Sequence, residues 1–551
     1  MNNLRVIFMF FIIGFVAITL RLFYIQAISP EFYSADYTTT SKIHPNRGRI
    51  LDRNYEPLAI NQTKYLLYAE PKKIKNQDYL VKLLSTELKM DEATLSARID
   101  MSKDWVAVER NISKETKEKL EKLDLEMLGF EPTQERFYPE ASLAAHLTGF
   151  LGKNKEGESI GYFGVEGYYD KDLSGFPGVL KSERDMFGKT IFIGNQERVD
   201  AENGRDLVLT IDKSVQHIIK EHLKKGVEKF QAKSGCVIVV KPQTMEILGL
   251  VCIPDFDPSE YYDFKNSDFS NWLISSEYEP GSTFKPLVVA AAIEEKKLKP
   301  NDIYNEKGSI KIGEYSISNW NDKYEGKISI QRILEKSSNV GMVYVGETLG
   351  KENLFKYIKK YGFGSYTEVD LQGEVTGQVK SIEEWYPIDA ATFSFGQGIS
   401  LTGMQLVRAF GSVINGGYLM RPYIVREVIE DGIKKIREPK IQEQVLSKKT
   451  SDTMKKILVS VVNNAEATWK IPEGFTFGGK TGTAQIAVSG TYDASKTIAS
   501  FIGFAPADEP EFLMLVVIDQ PKTSEWGSET AAPLFFDIAS ELLVHFNVQP
   551  Q

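Results

Sequence analysis

The chain has 551 residues, a length that predicts three or four structural units at roughly 150 residues per domain. Its composition, with 42% hydrophobic and 26% charged residues, is that of a globular protein and excludes a disordered, collagen-like or coiled-coil chain. The formal charge of −9 argues against a broad nucleic-acid-binding surface. Two cysteines exclude a disulfide scaffold and a cysteine-rich zinc site, and five scattered histidines argue against histidine-based chemistry.

The N-terminal segment is strongly apolar. Residues 6–20 contain no charge, and the apolar sequence resumes after Arg21. As a helix this stretch would span about 30 Å, which matches a bilayer core. A cleaved signal peptide is disfavoured because bulky residues follow, and a buried core helix is disfavoured by the terminal position. We therefore predict a cytoplasmic tail at residues 1–5, a membrane anchor at 6–26 and an extracytoplasmic remainder.

Beyond the anchor, the chain divides at a polar segment, residues 194–206. Before it, glycines cluster between residues 161 and 178, which is typical of an irregular β region. After it, apolar runs predict a sheet completed by both ends of the domain. The predicted elements are a charged helix at 114–125, a strand at 207–212, an amphipathic helix at 216–230, a mainly helical block at 284–417, strands at 498–504 and 511–518, and a closing helix at 532–545.

Both cysteines fall in one predicted hairpin. Two apolar runs, residues 235–240 and 247–252, flank a turn at 242–244, so Cys236 and Cys252 lie symmetrically about it. Directly paired antiparallel strands make strained disulfides, so we expect two buried thiols rather than a bond.

The first chemical motif is Ser282-Thr283-Phe284-Lys285. A serine at a helix start lies at the positive end of the helix dipole, and a lysine three residues later lies on the same face. A lysine in a dry site loses its charge easily and can act as base toward the serine hydroxyl. Ser282 is the only serine in the sequence with lysine three positions after it. Taken alone, the tetrapeptide is more often an N-cap serine with a surface lysine.

The second motif, Ser337-Ser338-Asn339, follows a predicted helix and precedes an apolar run. Its serine hydroxyl and amide can extend a proton-transfer path and hold a peptide carbonyl. A Ser-x-Asn sequence is a very weak signal by itself, and the simplest alternative is a helix cap.

The third motif, Lys480-Thr481-Gly482-Thr483, follows two glycines that allow a substrate to approach the backbone. Lys480 supplies a fixed positive charge, and the hydroxyls of Thr481 and Thr483 can hold a carboxylate. The backbone N–H groups of Thr483 and Ser282 can form an oxyanion hole. Lys233-Ser234-Gly235 has the same form, but it precedes the nucleophile and opens an early strand, so we reject it as catalytic.

The three motifs in this order are typical of penicillin-binding proteins and class A β-lactamases. With them, the chain resembles the class B penicillin-binding proteins, which are monofunctional peptidoglycan transpeptidases. The resemblance covers nearly the whole chain, with one departure at Met245, where the family usually has glycine in a turn. Further landmarks are Arg47-Gly48-Arg49, Gly164-Val165-Glu166-Gly167, Thr210-Ile211-Asp212, Phe395-Gly396-Gln397-Gly398, Asn415-Gly416-Gly417 and Ala531-Ala532-Pro533.

The resemblance implies an α/β (α+β) multidomain fold. Its catalytic domain would be an antiparallel sheet flanked by helices, similar to β-lactamases, carried by an elongated β-rich pedestal behind one transmembrane helix. The implied boundaries are 27–200 for the pedestal, of the penicillin-binding protein dimerisation type, and 205–551 for the transpeptidase domain.

The resemblance also implies residue roles. Ser282 would be the acylated nucleophile and Lys285 its general base, while Ser337 and Asn339 would relay protons and position the substrate. The residues similar to those that bind the terminal carboxylate and stabilise the oxyanion are Lys480, Thr481, Gly482 and Thr483. The implied enzyme cleaves the D-Ala-D-Ala bond of a stem peptide, releases D-Ala and passes the acyl group to an amine of a neighbouring strand. β-Lactams would be trapped at Ser282, and no metal ion or cofactor is implied.

The subtype is a separate question. Residues 337–341 and 168–173 resemble septal, FtsI-like members, whereas elongation members tend to carry aspartate in place of Asn339. We therefore favour cell division over elongation, with an FtsW-like glycosyltransferase and other division proteins as implied partners at the cytoplasmic (inner) membrane.

Three other functions are weighed against this one. A β-lactamase is disfavoured by the anchor and the long region before the motifs. A β-lactam sensor is disfavoured because a five-residue tail cannot signal inside the cell. A scaffold with an idle site is disfavoured because every motif residue is present.

Overall fold

The computed structural model describes residues 2–28, 38–183, 196–488 and 491–550. The chain forms two compact units, and the second holds all the motif residues. The first unit comprises residues 1–46 and 175–203, and the second comprises residues 47–174 and 204–551. The domain boundaries expected at 27–200 and 205–551 stay a prediction, and residues 29–37 and 184–195 of the expected pedestal lie outside the described residues.

The first unit contains the predicted apolar helix. Asn2–Phe23 is α-helical and continues as a short π-helix, Tyr24–Ile28. Leu4–Ala27 has a mean hydropathy of 2.6, is long enough to cross a membrane and is not buried in the protein. An apolar helix with no protein surface against it fits a lipid environment. The described strands of this unit form an antiparallel sheet in the order Thr38–Ile43, Gly178–Glu183 and Gln196–Val199.

One sheet of the second unit joins distant parts of the chain. Asp206–Leu209 pairs in parallel with Ile50–Leu51 and in antiparallel orientation with Val425–Glu430. The strand predicted at 207–212 is therefore present but ends at Leu209. Within the described residues this sheet has seven strands: Ile50–Leu51, Pro57–Ala69, Val106–Ile112, Leu128–Phe137, Asp206–Leu209, Val425–Glu430 and Ile433–Ile436.

The glycine-rich region expected to be irregular β structure is partly helical. Gly164–Tyr168 and Asp170–Ser174 are short helices, and the first carries the fully buried Glu166. Arg47 Nη2 lies 2.6 Å from Glu166 Oε2, and Arg136 Nε lies 2.6 Å from Glu166 Oε1. This buried ion triad fixes the short helix through residues distant in sequence, which local patterns do not reveal.

A second sheet, of five antiparallel strands in the described chain, lies at the centre of the motif region. Its side chains alternate between two cores: Val237 and Val239 pack on one face, and Ile238 and Val240 pack on the other. The predicted hairpin and the two predicted C-terminal strands all belong to it. The strand order is Glu246–Ile253, Ser234–Lys241, Phe512–Asp519, Thr491–Ala505 and Gly478–Val488.

Helices cover both faces of the five-stranded sheet. Lys213–Phe230 and Ala531–His545 pack on one face, while Gly403–Ile414 and Lys448–Asn463 belong to the core on the other. The predicted amphipathic and closing helices are thus present. The other α-helices of the second unit are Gln77–Leu88, Glu92–Arg98, Lys114–Glu121, Ala145–Thr148, Gly164–Tyr168, Asp170–Ser174, Trp272–Ser275, Lys285–Glu294, Ile330–Glu335, Asn339–Leu349, Lys351–Lys360 and Pro387–Phe393.

Shorter elements connect these layers. The two-stranded sheets pair Phe150–Lys153 with Ser159–Tyr162, Ile303–Asn305 with Lys327–Ser329, Ile310–Ile312 with Tyr315–Ile317, and Tyr418–Met420 with Ile441–Gln444. The 3-10 helices are Pro71–Lys73, Ala141–Ala144, Pro258–Asp263, Asn266–Phe269, Gly281–Phe284 and Ile382–Glu384.

Met245 does more than occupy a turn. It has a φ of 61°, in the region that favours glycine, and its side chain is fully buried. A Cβ on Gly411 would lie 2.5 Å from Met245 Cε. The methionine therefore fills space against the helix Gly403–Ile414 that a glycine at 245 would leave empty.

Cys236 and Cys252 are disulfide-bonded, which corrects the expectation of two thiols. The two residues face each other in the hairpin register, with Cα atoms 4.1 Å apart. Because facing residues of an antiparallel pair point to the same side of the sheet, both sulfurs enter the same core. The expected facing placement of the two cysteines is therefore right, and the inference that strain would keep them apart is wrong.

We predict that the unreduced, denatured protein has no free thiol and that reduction exposes two. Replacing both residues, Cys236→Ala with Cys252→Ala, should lower the free energy of unfolding by about 2–4 kcal/mol, because the unfolded chain regains the freedom of the closed loop. Thiol titration and denaturant unfolding measure these effects. Free thiols in the unreduced protein would contradict the bond.

Candidate active site

Ser282 lies in a tight turn rather than at the cap of a helix. Gly281–Phe284 forms one 3-10 turn, after which the helix Lys285–Glu294 begins with Phe284 as its N-cap. Gly281 has a φ of 55°, and a Cβ there would lie 3.0 Å from Thr483 O. Only glycine combines this backbone with so close a neighbour. The N-cap explanation of the serine therefore does not apply to Ser282.

Lys285 is held by oxygen atoms of the second motif. Its Nζ donates hydrogen bonds to Ser337 O at 2.7 Å, to Asn339 Oδ1 at 2.8 Å and to Ser337 Oγ at 3.2 Å. Among the described contacts of Lys285, none joins Nζ to Ser282 directly. Instead, Ser337 Oγ donates to Ser282 Oγ at 3.0 Å. The structure thus places Ser337 between the lysine and the first serine.

The charge state of Lys285 follows from its surroundings. The side chain is fully buried, and its hydrogen-bond partners are neutral oxygens. Burial lowers the pKa of Lys285 well below its ordinary value, and the nearby charge of Lys480 lowers this pKa further. Lys285 therefore gives up its proton more easily than an ordinary lysine, and the neutral amine would keep two of its three donated hydrogen bonds and turn its lone pair toward Ser337 Oγ.

The three residues of the second motif make different contacts. Ser338 caps the helix Asn339–Leu349, since its Oγ accepts a hydrogen bond from Gly341 N at 2.8 Å. The helix-cap explanation therefore fits Ser338, while Ser337 and Asn339 face Lys285. Ser337 has a φ of 56°, a strained backbone that costs of order 1 kcal/mol and tends to occur at functional sites.

Lys480 lies on the strand Gly478–Val488, at one edge of the five-stranded sheet. It is buried, and burial lowers its pKa to about 7. Its Nζ donates to Thr481 O at 3.2 Å and to Thr481 Oγ1 at 3.3 Å. Among the described residues, no carboxylate forms an ion pair with it, so it can receive one from a ligand.

Gly482 and Thr483 fit this strand against the turn that contains Ser282. A Cβ on Gly482 would lie 2.8 Å from Thr283 Cγ2 and 3.1 Å from Pro280 O. Any larger residue at 482 would therefore push the strand away from Ser282. Thr483 Oγ1 accepts a hydrogen bond from Gly527 N at 3.0 Å.

All three motifs border one cavity of about 360 Å³. The sequence-predicted residues that line it are Ser282, Ser337, Asn339, Lys480, Thr481 and Thr483. Lys285 and Gly482 lie directly behind this lining. The rejected Lys233 has a side chain that is 69% exposed and lies 3.6 Å from Asp519, and it does not border the cavity.

Sequence reasoning missed part of the lining. Trp320 and Trp526 face each other with ring centroids 5.2 Å apart, and no local pattern signals a pair so distant in sequence. Phe395 and Gln397 belong to a landmark that was noted but not assigned to the site. Within the described chain, no group of three or more His, Cys, Asp or Glu side chains could hold a metal ion.

Two family models match the chain. Residues 235–540 match the penicillin binding protein transpeptidase domain, and residues 42–209 match the penicillin-binding protein dimerisation domain. The first match covers more than half of the chain and includes every residue of the three motifs.

Relatives with known names match over nearly the full length. Stage V sporulation protein D of Bacillus subtilis is 36% identical over 100% of this chain and 86% of its own length. The peptidoglycan D,D-transpeptidase FtsI of Escherichia coli is 28% identical over 96% of this chain and 89% of its own. The crystal structure of penicillin binding protein 2X from Streptococcus thermophilus matches with a TM-score of 0.79 and 26% identity, over 92% of this chain and 80% of that one. The resemblance drawn from the motifs is confirmed, and the chain belongs to the class B penicillin-binding proteins.

Proposed function

We propose that the protein is a serine-type peptidoglycan D,D-transpeptidase in which Ser282 is the nucleophile and Lys285 the general base. The observation that carries this proposal is the path Ser282 Oγ–Ser337 Oγ–Lys285 Nζ, with steps of 3.0 and 3.2 Å. It ends at a buried amine whose pKa is lowered. A hydroxyl becomes a nucleophile when a base of this kind takes its proton.

Acylation uses this path in both directions. For the transfer both hydroxyls rotate, so that Ser282 donates to Ser337 Oγ and Ser337 Oγ donates to the lone pair of neutral Lys285 Nζ. The Ser282 proton then passes to Ser337 Oγ, whose own proton passes to Lys285 Nζ, while Ser282 Oγ bonds to the carbonyl carbon of the penultimate D-Ala. The N–H groups of Ser282 and Thr483 stabilise the oxyanion. When the C–N bond breaks, the leaving D-Ala amine receives the proton back from Lys285, and an ester on Ser282 remains.

Transfer to the acceptor repeats the sequence with a different amine. The neutral acceptor amine attacks the ester carbon, and its proton passes to Lys285. The bond to Ser282 Oγ then breaks, and the serine regains a proton from the lysine. The products are the cross-linking amide and the free enzyme. A β-lactam forms the same kind of ester on Ser282. Its leaving amine stays tethered to the acyl group through the remaining ring, so the drug stays attached to the serine.

Substrate recognition is assigned to the third motif. The strand Gly478–Val488 is a sheet edge, to which an extended peptide can add. At its start, Lys480 and the hydroxyls of Thr481 and Thr483 bind the terminal carboxylate of the donor peptide. The carboxylate also restores the charge of Lys480, because an opposite charge raises the pKa of a buried amine.

We further propose that the enzyme acts in cell division, as an inner-membrane protein with its N-terminus in the cytoplasm and its catalytic domain outside. The FtsI-named relatives support this role, and the family resemblance supports an FtsW-like glycosyltransferase as partner. A role in sporulation is the second candidate, since the relative with 36% identity along the whole chain is a sporulation protein.

The nucleophile is tested with a fluorescent penicillin. Wild-type protein should carry a covalent label that survives denaturing electrophoresis, whereas Ser282→Ala should carry none, because Ser282 is the hydroxyl that the proposed path to Lys285 activates. Ser234→Ala, in the rejected motif, should label like wild type. Persistent labelling of the Ser282→Ala protein would show that the nucleophile is another residue.

The acylation rate should depend on pH in a bell shape. Below its lowered pKa Lys285 is protonated and cannot accept a proton, so the rate falls toward acid. Above pH 7 Lys480 loses its charge, so at two pH units higher the second-order rate constant for a β-lactam should be about tenfold to a hundredfold lower. Lys480→Arg should remove this alkaline fall, since guanidinium stays charged.

The control for this pH profile is Lys233→Arg, which should keep the wild-type shape. Only the shape is compared, since a larger side chain at 480 can lower the rate at every pH. An unchanged alkaline fall in Lys480→Arg would contradict the role given to Lys480.

The cellular role is tested by depletion in the native organism. We expect cells that grow without completing septa, because cross-linking at the division site is lost. Microscopy with a fluorescent D-amino acid measures where synthesis stops. Rounded cells would indicate elongation instead, and normal growth with failed spore formation would indicate the sporulation role.

A further inference from the structure

A buried carboxylate lies beside the second motif. Glu306 follows the strand Ile303–Asn305, is 6% exposed and has no ion-pair partner among the described cations. Three donors converge on it. Ser338 Oγ and Asn319 Nδ2 donate to Oε1, the second at 3.3 Å, and Glu325 N donates to Oε2 at 3.0 Å. The two carboxyl oxygens have lone pairs for all three donors.

Asn319 connects Glu306 to the helix that follows the motif. Its Oδ1 accepts hydrogen bonds from Asn339 N at 2.9 Å and from Val340 N at 3.3 Å. These are N–H groups of the first helical turn, which have no partner within the helix. Because Glu306 accepts from the amide nitrogen of Asn319, the amide oxygen is turned toward the helix.

The same helix start carries the groups around Lys285. Ser337 O and Asn339 Oδ1 accept from Lys285 Nζ, and Ser337 Oγ bridges to Ser282. Ser337 has a positive φ, so its backbone needs support from its surroundings. The buried contacts of Glu306 and Asn319 supply such support from outside the motif.

We propose that Glu306 is a positioning residue that, through Asn319 and Ser338, holds Ser337 and Asn339 around Lys285. This proposal rests on the proposed function, since it concerns the path from Ser282 to its base. Glu306 touches neither substrate nor reacting atoms. Its contacts fix the distances from Ser337 Oγ to Ser282 Oγ and to Lys285 Nζ, and they keep water away from Lys285.

Glu306→Gln has nearly the same shape, but its amide nitrogen must face either Asn319 Nδ2 or Glu325 N, and both of these groups donate. One contact must open, and the motif should shift away from Lys285. A displacement of about 1 Å can cost about a hundredfold in rate, so we expect the acylation rate per active site to fall about tenfold to a hundredfold. Water admitted beside Lys285 should also move the acid limb of the pH profile to higher pH.

The experiment titrates active sites of the full chain with a β-lactam, then measures the second-order acylation constant from pH 5 to pH 10. Glu306→Gln should keep most active sites but show the slower rate and the displaced acid limb. Glu306→Asp, which keeps an acceptor-only group, should recover part of the rate. Ser338→Ala removes one contact to Glu306 and should move the acid limb in the same direction, which keeps the test available if Glu306→Gln folds poorly.

The matched control is Glu374→Gln. Glu374 also accepts three hydrogen bonds, from Thr367 N, Thr367 Oγ1 and Glu368 N, but it does not border the cavity of the three motifs, so its variant should acylate like wild type. Unchanged rate and acid limb in Glu306→Gln would overturn the proposal. So would fewer active sites with unchanged kinetics per site, which a merely structural role predicts. Failure of the proposed function is distinct, since it appears as labelling of the Ser282→Ala protein.

Discussion

The burial of Lys285 is the constraint on which the rest of the site depends. An ammonium group removed from water is costly unless a carboxylate pairs with it, and the partners of Lys285 are neutral oxygens. The amine therefore tends to give up its proton. Two neighbouring features favour the neutral amine. The apolar helix Lys285–Glu294 keeps water away, and the charge of Lys480 repels a proton on Lys285. In the proposed mechanism histidine is unnecessary, because a lysine kept away from water can accept the serine proton.

The two walls of the site are stabilised in different ways. The third motif lies on a sheet edge, where the register fixes Lys480 opposite Ile502 and Thr483 opposite Ala499. The second motif lies in a strained turn and is held by side chains, with Asn319 at its centre. A sheet resists displacement through many backbone hydrogen bonds, whereas a turn depends on a few polar contacts. Substitutions behind the second motif should therefore affect catalysis more readily than surface changes along the strand.

Much of this protein could be predicted from the sequence. The apolar anchor, the hairpin and the closing helix are each indicated by apolar runs of suitable length, and such a run is a local property. The three motifs were also recognisable, because each is a short run of residues that act together. Their joint order is typical of one family. The predictions are weakest where glycines are frequent. The short helices Gly164–Tyr168, which carries Glu166, and Asp170–Ser174 lie in a region expected to be irregular β structure.

Contacts between residues far apart in the chain were decided only by the tertiary structure. Sequence spacing placed Lys285 above Ser282, but the folded chain inserts Ser337 between them. Symmetry about the turn placed Cys236 opposite Cys252, yet only the formed hairpin shows that the sulfurs meet. Glu306 belongs to no sequence motif that indicates its contacts. In each case the deciding quantity is a distance or a burial set by packing, and packing depends on the whole chain rather than on a local pattern.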